Sequence, residues 1–482
     1  MLRWCLVFTL FAVGAARDLH AAERLNVLFL IADDLNCDLQ CYGHPVVKTP
    51  RIDALAKRGV RFEQAYCQFP LCSPSRSSFL TGRRPNATQI HTNPGGARFS
   101  TQYRPTPHFR DFIPDTVTLP ELFKNNGYFS ARVGKLYHYG VPGQIGTSGL
   151  DDDKSWNFVV NPAGRDKAEE NKIFTLTPGS YGGTLSWLAA EGADEEQTDG
   201  LAATAAESLL EEHKDQPFFL AVGFYRPHTP YVAPKSYFKG YPTSGITLPE
   251  LSADDKERVP PLAYASAKKD QEALSDDLRR EAIQAYWASI SFMDAQVGRV
   301  VATLDRLGLA DKTVIVMTSD HGYHMYQHGL WQKMSLFENS AHVPLIIAAP
   351  GAAANGKSTP ALAELVDLYP TLADLCGLKA PDYLDGVSLR PVLQDAQATV
   401  KPAAYTQVRR GKVDGYSVRT PRWRFTSWDA GRKGEQLYDL QADPQEARNL
   451  INDPAHKDTV AELRKSIADY AASANPEDRK QR

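Results

Sequence analysis

The polar groups able to do chemistry in this chain sit in a few short clusters. One is the run Cys72-Ser73-Pro74-Ser75-Arg76-Ser77-Ser78-Phe79-Leu80-Thr81-Gly82-Arg83. Pro74 interrupts regular structure, Ser75-Arg76 can open a helix through Phe79 and Leu80, and Gly82 ends it. Cys72 is then expected at a helix N-terminus, where unpaired backbone N–H groups favour an anionic ester. Two further clusters, Asp33-Asp34 and Ser319-Asp320-His321-Gly322, each close an apolar run. Either one alone could cap a helix or form a turn. Brought together on neighbouring strands, Asp33, Asp34, Asp320 and His321 would make a cation site. Three carboxylates without a thiolate suit calcium better than zinc.

The elements that must position these groups are legible in the apolar pattern. Leu25 to Ala32 is a nearly unbroken apolar run, as expected of a strand buried on both faces of a parallel sheet. Pro217 to Val222, Thr313 to Met317 and Val343 to Ala348 read as further strands. Polar residues gather after the strand ends, where open α/β sheets build their sites. Helices are expected over 50–58, 195–213 and 280–307, the last with apolar positions every three or four residues. This alternation predicts an α/β core, a mostly parallel sheet sandwiched by helices. After about residue 392 come strand-like pieces at 404–408, 416–419, 423–426 and 436–440, then a helix over 454–472. We expect a catalytic unit over 23–395 and a small antiparallel-sheet subdomain over 396–482, with a frayed charged tail from Pro476.

The 482 residues suffice for a large core and more than one domain. A net charge of −3 offers no global field for nucleic acid, so a polyanion must meet a local basic site. Residues 1–22 carry one early positive charge, the apolar run Leu6 to Ala16, and small residues at Gly14-Ala15-Ala16 and Ala21-Ala22. That is a secretory signal pattern, with cleavage after Ala15, Ala16, Ala21 or Ala22. The run is too short to span a bilayer comfortably, and no later stretch reaches that length. Export to the periplasm or the extracellular space is expected. Cys37 and Cys41, four residues apart, suit a helix-face pair or a loop clip, bonded or not.

The Cys72 run fits C-x-P-S-R-x-x-x-x-T-G-R without a gap. With Asp33-Asp34, Cys41-Tyr42-Gly43, Gly134-Lys135 with His138, Arg226-Pro227-His228, Gln296-Val297-Gly298-Arg299, Asp320-His321, His328-Gly329, Trp331, Lys333 and Tyr438-Asp439-Leu440, the chain resembles the type I, formylglycine-dependent sulfatases. The similarity spans nearly the whole mature chain and is strongest to the iduronate-2-sulfatase branch, where His at position 321 is typical. It implies an alkaline-phosphatase-like fold. It also implies oxidation of Cys72 to formylglycine by a formylglycine-generating enzyme. One hydroxyl of the hydrated aldehyde would attack sulfur, and the other would lose a proton and expel sulfate. Asp33, Asp34, Asp320 and His321, with residue 72, would bind calcium. Arg76 would hold the diol and the sulfate through its planar fork. Lys135 and His138, three apart on one side of a helical turn or tight loop, would steady the diol and take its proton. His228 would protonate the departing alkoxide. Lys333 would neutralise sulfate charge and reach toward a substrate carboxylate.

The implied substrate is a sulfated saccharide, a uronic acid with sulfate at its 2-position. The chain departs from the family pattern at Asn86 to Pro114, expected to rim the pocket, and at Asn36-Cys37-Asp38. Two other functions compete: a phosphonate or phosphodiester hydrolase of the same superfamily, and a non-catalytic glycan-binding protein in which Cys72 stays a thiol.

Overall fold

The computed structural model describes residues 24–93, 107–251 and 256–473. The expected leader, the charged tail from Pro476 and the middle of the Asn86–Pro114 stretch lie outside the described residues.

Eight strands form one sheet: β1 (Asn26–Asp33), β2 (Val60–Tyr66), β3 (Phe129–Gly134), β4 (Phe158–Val160), β5 (Phe218–Pro227), β6 (Thr313–Ser319), β7 (His342–Ala348) and β8 (Ser358–Glu364). Their order is β8-β2-β7-β6-β1-β5-β3-β4. Pairings are parallel except at β7, which runs antiparallel to both β2 and β6. The apolar run of β1 is buried at every position, as a central strand covered on both faces requires. Its alternate side chains feed two cores. Leu28, Leu30 and Ala32 join Leu220, Val222 and the helices at 198–212 and 276–306. Val27, Phe29 and Ile31 join Phe79, Phe123, Leu368 and Leu372 on the other face.

Five helices matter here: α1 (Pro50–Ala56), α2 (Cys72–Thr81), α3 (Thr198–Glu212), α4 (Asp276–Arg306) and α5 (Lys457–Ser473). The start of α4 lies four residues before the expected 280. Ser275 caps it by accepting the Leu278 N–H, and Asp276 and Asp277 meet the positive end of the helix dipole.

The chain ends in an antiparallel meander of β9 (Ala404–Arg410), β10 (Val413–Arg419), β11 (Trp423–Trp428) and β12 (Glu435–Asp439). Val460, Leu463 and Ile467 of α5 pack on Val418, Phe425 and Leu437. A buried ion cluster ties this sheet to the residues after α2. Glu364 accepts from both terminal nitrogens of Arg84 at 2.7 Å, from Lys401 at 2.8 Å and from the Tyr405 N–H at 3.0 Å. No helix among the described residues is long and apolar enough to cross a membrane.

Candidate active site

The site lies at the carboxyl ends of β1, β3, β5 and β6, where neighbouring parallel strands deliver their following residues to one place. β1 ends at Asp33, Lys135 follows β3, His228 follows β5, and Asp320-His321 follow β6. α2 brings Cys72 to the same place as its first residue, and Gly82 ends that helix at φ 66°. Pro74 does not break the helix; it occupies the first turn, where a missing N–H costs nothing. Gly134 is needed at the end of β3. Its φ is 72°, and a Cβ there would come within 2.2 Å of the Gly223 carbonyl oxygen.

Every one of the sequence-predicted residues is brought to this end of the sheet. Arg76 is fully buried and its fork is largely used inside the protein. Nε donates to Asp320 Oδ2 at 2.9 Å and Nη2 to Asp33 Oδ1 at 3.0 Å. Nη1 donates to the carbonyls of Lys135 at 2.7 Å and Leu136 at 3.0 Å. Four of its five N–H donors are thereby engaged, leaving one for anything bound at residue 72. The second Asp33 oxygen takes the Lys135 ammonium at 2.5 Å. That ammonium holds the Asp33 carboxyl well below the usual carboxylate range against the opposing effect of burial.

Four ligand atoms, one each from Asp34, Cys72, Asp320 and His321, lie within 4.8 Å of one another and are buried. Asp33 is not among them; Arg76 and Lys135 occupy its oxygens. Cys72 Sγ is 3.4 Å from His321 Nε2 and 3.8 Å from Asp34 Oδ1. His321 Nε2 is 3.3 Å from Asp34 Oδ1 and 3.6 Å from Asp320 Oδ2. Asp34 Oδ2 is buried without a hydrogen-bond partner, an orphaned acceptor that a cation would satisfy. Asp34 itself sits at φ 64°, a left-handed conformation that a non-glycine residue adopts at a cost. Two carboxylates, an imidazole and residue 72 therefore fit a divalent cation. Burial lowers the His321 pKa, but the adjacent Asp320 outweighs it and raises the imidazole to about 9.

The basic groups close over Cys72 from the other sides. Lys333 Nζ is 3.1 Å from Cys72 Sγ and also binds Asp34 Oδ1. His228 Nε2 lies 3.6 Å from Asp34 Oδ2, and its Nδ1 meets the Thr229 carbonyl. The segment before His228 is fixed by Asp199, which accepts the Tyr225 and Arg226 N–H groups at 2.9 and 3.0 Å. Of the two placements expected for Lys135 and His138, the loop holds and the helical turn does not. Lys135 follows β3 directly, whereas His138 pairs in a bridge with Leu150, and both side chains still face Cys72. Burial pushes the Cys72 thiol up, yet Lys333, Lys135 and hydrogen bonds from His138 and His228 hold it well below its usual value. Burial lowers His138 to about 4, which leaves it neutral and able to accept a proton.

Sequence reasoning gave no role to two groups at this site. Ser75, the fixed serine of the Cys72 motif, donates through Oγ to the Asp320 carbonyl, tying α2 to the turn after β6. Asn93 Oδ1 accepts the Ser73 N–H at 2.9 Å, answering an orphan donor of the α2 N-terminus. Asn93 has no spacing signal, because it reaches α2 from a separate segment. Cys37 and Cys41 are both free thiols.

An alkaline-phosphatase-like sheet with a buried acidic cluster and converging cations at a helix N-terminus defines a hydrolase of anionic esters. Residues 25–378 match the Sulfatase family model, and residues 326–473 match the model for the C-terminal part of N-sulphoglucosamine sulphohydrolase. Iduronate 2-sulfatase of Mus musculus is 33% identical over 94% of this chain and 95% of its own length. A solved 2-O GAG sulfatase superposes with a TM-score of 0.71 at 25% identity, covering 95% of this chain and 94% of the other. The phosphonate monoester hydrolase of Agrobacterium radiobacter shares the fold, with a TM-score of 0.75 at 23% identity over 94% and 96% of the two chains. The chain belongs to the sulfatase family and is a sulfuric ester hydrolase.

Proposed function

We propose that the chain removes sulfate from a saccharide, specifically from the 2-position of a uronic acid at the non-reducing end of a polysaccharide fragment. The observation that carries this reading is the crowding of Lys333, Lys135, His138 and His228 around Cys72, beside an acidic cluster with an orphaned oxygen. Its similarity to an iduronate 2-sulfatase and to a 2-O GAG sulfatase supports the sugar and the position.

In the mature protein residue 72 would be formylglycine, made by a formylglycine-generating enzyme and supplying a covalent nucleophile that resets itself. Asp34, Asp320, His321 and residue 72, with Asp33 behind them, would hold calcium, which when bound offsets the charge of the ester. The side chains divide the remaining work. Arg76 keeps Asp33 and Asp320 in place. Lys333 sets positive charge against the ester oxygens. His138 accepts a proton at residue 72, and Lys135 steadies the negative charge left there. His228 faces the opposite side and donates a proton to the departing sugar oxygen, a strongly basic leaving group that needs such help. We assign catalysis to 23–395, with 396–482 as a C-terminal subdomain, and export by the 1–22 leader.

A phosphonate monoester hydrolase reading shares the fold but has no further support. The test is sulfate release from a 2-O-sulfated uronate oligosaccharide, its isomer sulfated at another position, and a phosphonate monoester in parallel. We expect the first to be turned over fastest. Preferred turnover of the phosphonate would overturn the proposal.

A further inference from the structure

Lys333 is already engaged by Asp34 and Cys72, but a second lysine beside it is not balanced in this way. Lys268 precedes a one-turn helix at Lys269–Glu272. Its ammonium donates to the Gly183 carbonyl and to Gln332 Oε1. Gln332 adjoins Lys333 in the chain. Gly183 adjoins Thr184, whose carbonyl accepts the hydroxyl of Thr229, next to His228, at 3.0 Å. Lys268 therefore bridges the two segments that carry Lys333 and His228, the groups assigned above to the ester and to the departing oxygen.

An ammonium has three N–H donors, and both acceptors here are neutral oxygens. One donor remains, and no carboxylate among the described residues pairs with the charge. Asp270, two residues on, spends one oxygen on the hydroxyls of Thr177 and Thr184. Burial pushes the Lys268 pKa down to about 8, with Asp270 opposing and Lys333 adding to the effect. Asp270 and Asp34 favour the charge from a distance, but a part-buried cation with no carboxylate in contact is costly unless something anionic meets it in use. Gln332 also sits at φ 68°, so the contact holds a backbone conformation with its own cost beside Lys333.

We propose that Lys268 is a specificity-determining residue that binds a second anionic oxygen group of the substrate, a carboxylate or a further sulfate near the ester being cleaved. This deepens the saccharide sulfatase reading above and rests on it. Lys333 meets the ester, and Lys268 reaches the residue next to it, so the second anion belongs to the same sugar or the adjoining one.

The test uses the mature full-length protein with Lys268→Gln, which can keep both hydrogen bonds without the charge, and Lys268→Arg, which keeps the charge. Sulfate release is followed on three substrates. They are a 2-O-sulfated uronate oligosaccharide, its carboxyl-reduced counterpart, whose reacting sugar carries only the ester sulfate, and that counterpart bearing a second sulfate; the first and third are the doubly charged substrates. We expect Lys268→Gln to lower kcat/KM on one doubly charged substrate about 10-fold more than on the singly charged one, chiefly through KM, with Lys268→Arg recovering most of the difference. A drop confined to the uronate identifies a carboxylate, and one confined to the disulfated sugar identifies a sulfate. An unchanged ratio on both doubly charged substrates in Lys268→Gln overturns the role of Lys268 alone. Failure of the wild type to release sulfate from any of the three overturns the saccharide reading as well.

Discussion

The Lys333 ammonium lies 3.1 Å from Cys72 Sγ while also binding Asp34 Oδ1, so one cation touches both the reacting position and a residue of the acidic cluster. Burial works against a charged Lys333, but Asp34 and residue 72 outweigh it and keep the ammonium protonated. Removing this cation takes the ammonium from Asp34 Oδ1 and a donor from the ester. We expect Lys333→Ala to lower kcat/KM by roughly 100-fold or more, the scale of losing one preorganised charge-stabilising donor. Lys333→Arg should not recover it, since a planar fork does not replace a compact ammonium between two close partners. Steady-state kinetics on a sulfate ester checks this, and a loss below about 3-fold would contradict it.

The orphaned Asp34 oxygen and its neighbours Asp320 and His321 make a second prediction. Chelation should lower the unfolding midpoint as well as abolish turnover, because an ion bound only by the folded state stabilises it by mass action. Calcium should restore both properties and zinc neither. Stoichiometric zinc in fully active protein would count against the hard-cation assignment.

Glu364 carries the third. Burial raises the pKa of its carboxyl, but Arg84 and Lys401 outweigh that and hold it well below the ordinary value of 4.5. A carboxylate depressed in the folded state contributes stability that is full above its ordinary pKa and is lost as pH falls below it. Glu364→Gln should cost about 3–5 kcal/mol at neutral pH, the range for removing one partner of a buried pair. The variant should also show a weaker decline in unfolding midpoint as pH falls from about 5 to about 3, below the ordinary carboxylate value. Equal acid sensitivity in both proteins would show that this cluster does not couple α2 to the C-terminal sheet.

Much of the site was legible because its residues follow apolar runs. β1, β5 and β6 each contain an unbroken apolar run, Val27 to Ala32, Phe218 to Val222 and Val314 to Met317, and the polar residues of the site come at or after the strand ends. β2, Val-Arg-Phe-Glu-Gln-Ala-Tyr, escaped notice because Arg61, Glu63 and Gln64 interrupt its apolar residues, and it lies toward one side of the sheet. β3 was missed for its small Ser130, Ala131 and buried Arg132, whose burial depends on Asp151, far along the chain. The antiparallel direction of β7 has no local signal, because strand direction is set by the connections. The division of labour between Asp33 and Asp34 was hidden for a related reason. Only the folded sheet places Arg76 and Lys135 against one carboxylate and leaves an oxygen of the other unpartnered. Lys268 had no motif to mark it, since both of its acceptors come from segments distant in sequence.

Residue 72 itself gives the most direct test. Peptide mass spectrometry of the purified protein reads whether the thiol has been replaced by an aldehyde, and sulfate release is measured on the same sample beside Cys72→Ala. We expect an aldehyde at residue 72 in active protein. We expect Cys72→Ala to keep its unfolding midpoint while turnover falls below roughly 1% of wild type, because alanine has no route to a covalent intermediate. Turnover above that level in Cys72→Ala, or full activity in protein whose residue 72 is an unmodified thiol, would contradict the central claim.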